Sequence, residues 1–327
     1  MYANRNVLVT GGTGLIGRPL VELLLQAGAK VMVASLDDES RCPQGAEFIR
    51  GNLTHWDFCQ KVVKNMDYVF HLAGIKGSPA MTSQKPASFF VPLISMNTNM
   101  MEAARQEGVA RYLYTSTIGV YSPSEVFNED DVWQTFPSEN DKFAGWAKRM
   151  GELQAEAYKI EYGWDKIAIV RPANVYGPYD NFDPDNAMVI PSLIKRGMDG
   201  ENPLVVWGDG SPIRDFIHAR DVARGMLLAL ENITGQPINL GSGVGVAIRK
   251  IVEIIVSNLE VKPELVWDTS KPSGDKKRLM DISRARAIGF QPLISIEDGI
   301  KEVMDWYRQN RDIVNKRYNV FTEGNPA

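Results

Sequence analysis

The chain has few of the residues that build metal centres and disulfide frameworks. Its 327 residues include two cysteines, Cys42 and Cys59, and three histidines, His55, His71 and His218. Two widely separated thiols form neither a zinc knuckle nor a disulfide scaffold, and they point to a reducing compartment. Three scattered histidines argue against a histidine-built metal site. No apolar run approaches the roughly 18 residues of a membrane span. Neither charge dominates: 36 Lys and Arg stand against 40 Asp and Glu, a net charge of -4. That removes the electrostatic footprint of nucleic-acid binding, while leaving room for a local basic pocket for a phosphorylated ligand. The first strand begins almost at Met1, which leaves no room for a signal peptide. The expectation is a cytoplasmic protein that engages neither membrane nor nucleic acid. A composition of 44% hydrophobic and 23% charged residues is that of an ordinary globular chain. Its length suffices for one large or two ordinary domains.

What the chain does have is a glycine cluster in an informative place. Val7-Leu8-Val9-Thr10 reads as a buried strand that runs into Gly11-Gly12-Thr13-Gly14-Leu15-Ile16-Gly17. A helical apolar pattern follows (Leu20, Leu23, Leu24), ending at Gly28, and then a second strand, Lys30 to Ser35. This is the first βαβ unit of a dinucleotide-binding fold. Its glycines let the backbone turn tightly and approach a pyrophosphate seated on the helix N-terminus.

Strand and helix patterns then alternate. Tyr68–Ala73 reads as a strand with Gly74-Ile75-Lys76-Gly77 as its loop, Asn97–Glu107 as a helix and Arg111–Ser116 as a strand. Gly145–Tyr162 reads as a long helix and Lys166–Val170 as a strand. The alternation predicts an α/β fold with a Rossmann-type, doubly wound parallel sheet. After Arg171-Pro172 the texture changes: Pro178, Pro184, Pro191, Pro203 and Pro212 break the chain. The helix Ala219–Asn232 and the strand Pro237–Leu240 read as returns to the main sheet. The expected division is a dinucleotide-binding domain of residues 1–175 plus about 219–243. A smaller, mainly C-terminal α/β substrate domain takes about 176–218 and 244–320.

In such sheets, ligands bind beyond the carboxyl ends of the strands. The position that selects NAD by an acidic side chain is Ser35 here, with Asp37 and Asp38 following. With no carboxylate there, Arg18 and Arg41 can neutralise a 2′-phosphate, which tilts the reading toward NADP over NAD. The rivals are Asp37 reaching the ribose and Arg18 merely solvating a helix start. Asn52, Leu53, Leu72, Ala73 and Gly74 would flank the rest of the dinucleotide.

Several motifs together resemble the extended short-chain dehydrogenases, and within them the nucleotide-sugar epimerases, dehydratases and reductases. They are the glycine run, His71-Leu72-Ala73, Thr115-Ser116-Thr117 before Val120-Tyr121, Lys148 on its helix, and Arg171-Pro172-Ala173-Asn174-Val175-Tyr176-Gly177-Pro178. Lys271-Pro272-Ser273-Gly274-Asp275 and Asp281-Ile282-Ser283-Arg284-Ala285 extend the likeness nearly to the end. Asp180–Pro184 and Val205–Phe216 are similar to GDP-fucose synthase and its GDP-sugar relatives.

The resemblance implies hydride transfer at a sugar carbon, with Thr117 as the Ser/Thr and Lys148 as the Lys of the catalytic set. Lys148 and Arg171 join Gly11, Thr13, Gly14, Leu15, Ile16, Gly17, Arg18 and Ser35 at the cofactor. Asn174, Val189, Trp207, Arg214 and Arg278 join Thr117 at a nucleotide-sugar substrate, the two arginines on its diphosphate. It also implies a homodimer formed through Asn97–Glu107 and Gly145–Tyr162. For Arg278 a surface salt bridge is an equal alternative, and for Trp207 a core position is nearly so. Lys148, taken alone beside Arg149 and Glu152, reads as a solvated helix lysine. His218 reads as a packed or hydrogen-bonded histidine, and Met100-Met101 as core or dimer interface.

The departures narrow the chemistry. The family tyrosine, four residues before Lys148, is Ala144. The chain is either an altered Tyr→Ala form of low activity or one whose proton transfer is done by Thr117, a water or a substrate hydroxyl. The proton-moving Cys and His of GDP-fucose synthase are replaced by Gly119 and Met188, and the acids of the 4,6-dehydratases by Ile118 and Gly119. What survives is oxidation or reduction at sugar C4: a 4-epimerase or 4-ketoreductase, on a GDP-hexose. The competing readings are a non-catalytic dinucleotide-binding sensor and a scaffold that keeps only the fold.

Overall fold

A computed structural model describes residues 1–75, 79–271, 274–314, 317–318 and 323. Lys76 and Gly77 of the expected loop, and Pro272 and Ser273 of the KPSGD motif, lie outside the described residues.

In chain order the strands are β1 (Asn6–Thr10), β2 (Lys30–Ser35), β3 (Glu47–Arg50), β4 (Tyr68–His71), β5 (Arg111–Thr115), β6 (Val126–Phe127) and β7 (Ile167–Pro172). They continue with β8 (Asn174–Tyr176), β9 (Leu204–Trp207), β10 (Ile213–His218), β11 (Ile238–Leu240), β12 (Gly245–Ala247), β13 (Leu265–Asp268) and β14 (Lys277–Met280). The helices are α1 (Gly17–Gln26), α2 (Trp56–Val63), α3 (Pro79–Gln84), α4 (Pro86–Glu107) and α5 (Lys142–Tyr162). After them come α6 (Val189–Met198), α7 (Ala219–Glu231), α8 (Ile248–Ser257), α9 (Ser283–Ala287) and α10 (Ile296–Asn310).

Seven strands form one parallel sheet in the order β11-β7-β5-β4-β1-β2-β3. This is the doubly wound arrangement expected from the alternating pattern. Strand order reverses between β1 and β4, and the crevice there is where ligands of such sheets bind. Val7, Val9, Val31, Val33 and Phe70 are buried on one side with Leu20, Val21 and Leu24 of α1. Leu8, Val69, Tyr112 and Tyr114 are buried on the other with Met100, Met101 and Ala104 of α4. Near-continuous apolar strands are what a sheet covered on both faces requires. Beyond it lie a sheet in which β10 pairs with β8, β12 and β14, with β6 at its edge, and a β9–β13 pair. β8, β9, β10, β12 and β13 share a third core with α6, α8 and α10, while Phe127 of β6 and Met280 of β14 are buried in the core beside α1.

Two expectations about helices are corrected. The helix expected at Asn97 begins at Pro86, with Pro92 inside it. Pro86 sits at the first helical position, where its missing N–H is no loss. Pro191, expected to break the chain, lies in the first turn of α6, where proline is equally tolerated.

Candidate active site

The glycine loop joins β1 to α1 as expected. A Cβ on Gly17 would stand 2.2 Å from the Gly11 carbonyl oxygen, so α1 approaches the loop closer than any side chain allows. Gly14 differs. A Cβ there would meet nothing of the chain closer than the Gly11 carbonyl oxygen at 3.4 Å. Packing within the protein therefore does not demand a glycine at 14, whereas close approach of this backbone to a pyrophosphate would. The cradle fits a dinucleotide pyrophosphate.

Around the end of β2 the side chains are interlocked. Thr13 is buried; its hydroxyl donates to Asp37 Oδ2 at 2.6 Å and accepts from Ser35 Oγ at 2.9 Å. Ser35 Oγ in turn accepts the Asp37 N–H. Asp37 also takes Arg41 at 3.7 Å and the Tyr318 N–H at 2.8 Å. Arg18 does more than solvate a helix start. Its Nη1 donates to the Arg41 carbonyl, and its guanidinium lies 4.2 Å from the Tyr179 ring centroid. Burial holds Arg41 below its ordinary pKa against the pull of Asp37, with Arg317 and Arg18 adding to the depression. Three arginines thus crowd this corner. Asn52 is buried, with Oδ1 accepting from the Thr54 N–H and hydroxyl, and Leu53 is buried beside it.

At the end of β4, Thr10 Oγ accepts the N–H groups of Leu72 and Ala73, so its own proton goes to His71 Nδ1 at 2.8 Å. His71 Nε2 then donates to Asn97 Oδ1 at 3.0 Å. Burial, reinforced by Lys148 and opposed by Asn97, pushes the His71 pKa down to about 3. The ring is neutral and holds β4 to β1 and α4.

Lys148 is 8% exposed, not solvated. Its Nζ stands 5.1 Å from the Tyr114 ring centroid and 4.0 Å from where a Cβ on Gly74 would lie. Burial drives its pKa down to about 8, against the attraction of Glu152. Ala144 lies one turn earlier on α5, half-buried among the residues under the sheet. Thr117 opens a 3-10 turn over Ile118–Val120, its hydroxyl oxygen accepting the Gly119 N–H at 3.2 Å.

The structure relocates several expected binding residues. Arg171 does not face a ligand. Its side chain is fully buried, with Nε and Nη2 on Glu152 and Nη1 on the Tyr121 hydroxyl and the Glu129 carbonyl. Every nitrogen is committed inside the protein, so it acts as a structural tie. Arg278 takes the salt-bridge alternative, with Nη2 3.0 Å from Asp141 and Nε 3.7 Å from Asp275. Arg214 Nη1 bonds the Ile213 and Asp275 carbonyls. Asn174 donates to the Asp215 carbonyl, tying β8 to β10. Val189 opens α6. Trp207 is 65% exposed at the end of β9, so the core alternative falls; Lys271 Nζ lies 5.8 Å from its ring centroid. His218 is buried and caps α7 through Nδ1.

Two groups escaped the sequence reading. Glu152, taken as part of a solvated face, is buried between Arg171 and the Ser116 hydroxyl. Its spacing of one helical turn after Lys148 was the available signal. Asp141, in the residue before α5, carried no motif at all. No group of His, Cys, Asp and Glu suited to a metal occurs among the described residues, and no described helix is long and apolar enough to cross a membrane.

The whole chain has relatives. It is 31% identical over 312 residues to GDP-L-fucose synthase 1 of Arabidopsis thaliana, covering 93% of each chain. It is 28% identical over 322 residues to the dTDP-4-dehydro-6-deoxy-D-allose reductase of Streptomyces bikiniensis, covering 94% of this chain and 98% of the relative. Among solved structures, the UDP-N-acetylglucosamine 4-epimerase of Methanobrevibacter ruminantium M1 superposes with a TM-score of 0.84 at 28% identity. That match covers 94% of this chain and 99% of the other. The sequence profile of the NAD dependent epimerase/dehydratase family matches residues 7–241, and with the cradle, Thr117 and Lys148 in place the chain belongs to that NAD(P)-dependent family.

Proposed function

We propose that the protein is an oxidoreductase of nucleotide sugars acting at sugar C4, as a 4-epimerase or 4-ketoreductase, on a GDP-hexose. The observation that carries this reading is the placement of Thr117 at the end of β5 and of buried Lys148 beside Gly74. Lys148 reaches the loop after β4 beside the crevice, and Thr117 follows β5, the strand next to β4. Gly11, Gly14, Leu15, Ile16 and Gly17 would hold the pyrophosphate, and Leu72, Ala73, Gly74 and Lys148 the nicotinamide end. Arg18, with Arg41 near Ser35, suits a 2′-phosphate and supports NADP over NAD. The bound dinucleotide supplies hydride exchange. Thr117 keeps its hydroxyl proton to donate to a sugar oxygen, since the oxygen itself accepts the Gly119 N–H. Residues 1–175 with about 219–243 would form the dinucleotide unit, and about 176–218 with 244–320 the nucleotide-sugar unit. Trp207 offers an exposed face for base or sugar, and Arg214 remains the candidate for the diphosphate. A homodimer through α4 and α5 accords with the exposed Val91, Leu153 and Ile160 on those helices.

The test is hydride transfer, followed at the reduced nicotinamide band, with GDP-, UDP- and dTDP-hexoses and both cofactors. Turnover strongest with a GDP-hexose and NADP(H) is expected. Ala144 favours one competing reading, a dinucleotide sensor. Restoring the phenol by Ala144→Tyr separates the two. An enzyme keeps or gains turnover, by up to about 10²–10⁴-fold if proton transfer is limiting. A sensor binds the dinucleotide tightly and stays silent.

A further inference from the structure

With alanine at 144, the proton at the reacting sugar oxygen needs another carrier. We propose that Asp141 is that carrier, an inference that rests on the C4 oxidoreductase reading above. Asp141 is the N-cap of α5, three residues before Ala144, which itself lies one turn before Lys148 on the same face. The carboxylate therefore sits one turn before the missing phenol. It also borders Gly119, as Thr117 does. A Cβ added to Gly119 would lie 3.3 Å from Asp141 Cβ, 3.5 Å from Asp141 Cγ and 3.4 Å from Thr117 Cγ2. Glycine at 119 thus keeps both side chains free of a crowding neighbour between them.

The carboxylate is held and half-engaged. Its Oδ2 accepts from Arg278 Nη2 at 3.0 Å and from the Ser138 hydroxyl at 3.2 Å. Among the described residues Oδ1 accepts nothing. The side chain is 30% exposed, so a substrate can reach it. Of the other titratable groups here, Lys148 would hold the dinucleotide and the rest are committed. Glu152 is locked to Arg171 and Ser116, and both nitrogens of His71 are bonded. The Tyr114 and Tyr121 hydroxyls donate to the Lys148 carbonyl and to Asn239. Arg278 is then the clamp that fixes this carboxylate.

In oxidation, the C4 hydroxyl is held by Thr117 and its O–H bond breaks, the proton passing to Asp141 Oδ1. The C4–H bond leaves with its electron pair to the oxidised nicotinamide dinucleotide, and the C4=O bond forms. In reduction the protonated carboxyl returns the proton to the C4 oxygen as hydride arrives.

The experiment compares the unaltered protein with Asp141→Asn, Asp141→Ala and the double variant Asp141→Asn/Ala144→Tyr, on the best nucleotide hexose. Calorimetric binding of nucleotide sugar and dinucleotide is measured alongside turnover. Expected are a kcat about 10²–10⁴-fold lower in Asp141→Asn, with both affinities within about threefold of the unaltered protein. Formate should partly restore Asp141→Ala, and the added tyrosine should restore turnover in the double variant. Asp141→Asn turning over within threefold of the unaltered protein overturns the assignment alone. So does a loss that neither formate nor tyrosine repairs and that comes with weakened binding, which makes Asp141 structural. Silence of the unaltered protein with every sugar and both cofactors overturns the oxidoreductase reading, and the assignment with it.

Discussion

Lys148 shows how a single side chain can be placed against its own solvation. An ammonium buried to 8% exposure gives up its hydration, and its pKa falls from 10.5 to about 8. The folded state thus disfavours the charged form. Below pH 8 the lysine is charged in folded and unfolded chains alike, and the fold bears the full penalty. Between about 8 and 10.5 the folded lysine has lost its proton while the unfolded one keeps it, so stability rises with pH. Lys148→Met should therefore stabilise the protein at pH 7 by about 1–3 kcal/mol. The advantage should shrink as pH climbs to 10.5, read by denaturant unfolding across pH. A variant no more stable than the parent at pH 7 would count against a buried charge. Sequence alone could not show this burial. Lys148, Arg149 and Glu152 are three charged residues on a helix, and charge predicts exposure until a partner such as Arg171, on a distant strand, is known. Asp141 was hidden for the same reason, since its neighbours Gly119 and Arg278 come from other parts of the chain.

Helix α5 carries Lys148 and is anchored to the sheet through Glu152. That carboxylate joins Ser116 after β5 to Arg171 on β7, with Arg171 fully buried. Removing one member of a buried pair leaves the other charge uncompensated. Glu152→Gln should destabilise the fold by about 3–5 kcal/mol, whereas Glu152→Leu/Arg171→Met together should lose less than either single change. Chemical denaturation of Glu152→Gln, the singles Glu152→Leu and Arg171→Met and the double variant checks this, and additive losses would contradict it. Elements with strong local signals were legible. β2 runs Lys30–Ser35 as read, because an apolar strand between Gly28 and polar residues has plain boundaries. The first half of α4 lay outside the Asn97–Glu107 reading: proline is disfavoured inside a helix, yet α4 continues through Pro92, and Phe89, Leu93 and Met96 are buried. Strands of two to four residues such as β6, β8 and β12 owe their existence to pairing partners and left no local pattern.

The doubly wound fold and its glycine cradle were readable because backbone chemistry dictates them: the turn, the close approach of Gly17 and the open side of Gly14. The surroundings of Arg278 and Asn174 were less so, since Asp141 and the Asp215 carbonyl recruit them across strands. The main sheet is not made by one continuous stretch. β11 closes it beside β7, and α7 packs on α1 and β7, although residues 176–218 intervene and build strands elsewhere. A fragment of residues 1–175 would expose the free edge of β7 and the apolar side of α1. It should aggregate or bind a hydrophobic dye instead of unfolding cooperatively. A soluble, cooperative, dinucleotide-binding fragment would disprove that. During synthesis the same geometry sets a schedule. The nucleotide-side sheet stays unfinished until the ribosome has released residue 240, so a nascent chain stalled between Tyr176 and Pro237 carries a bare β-edge that chaperones or proteases can recognise.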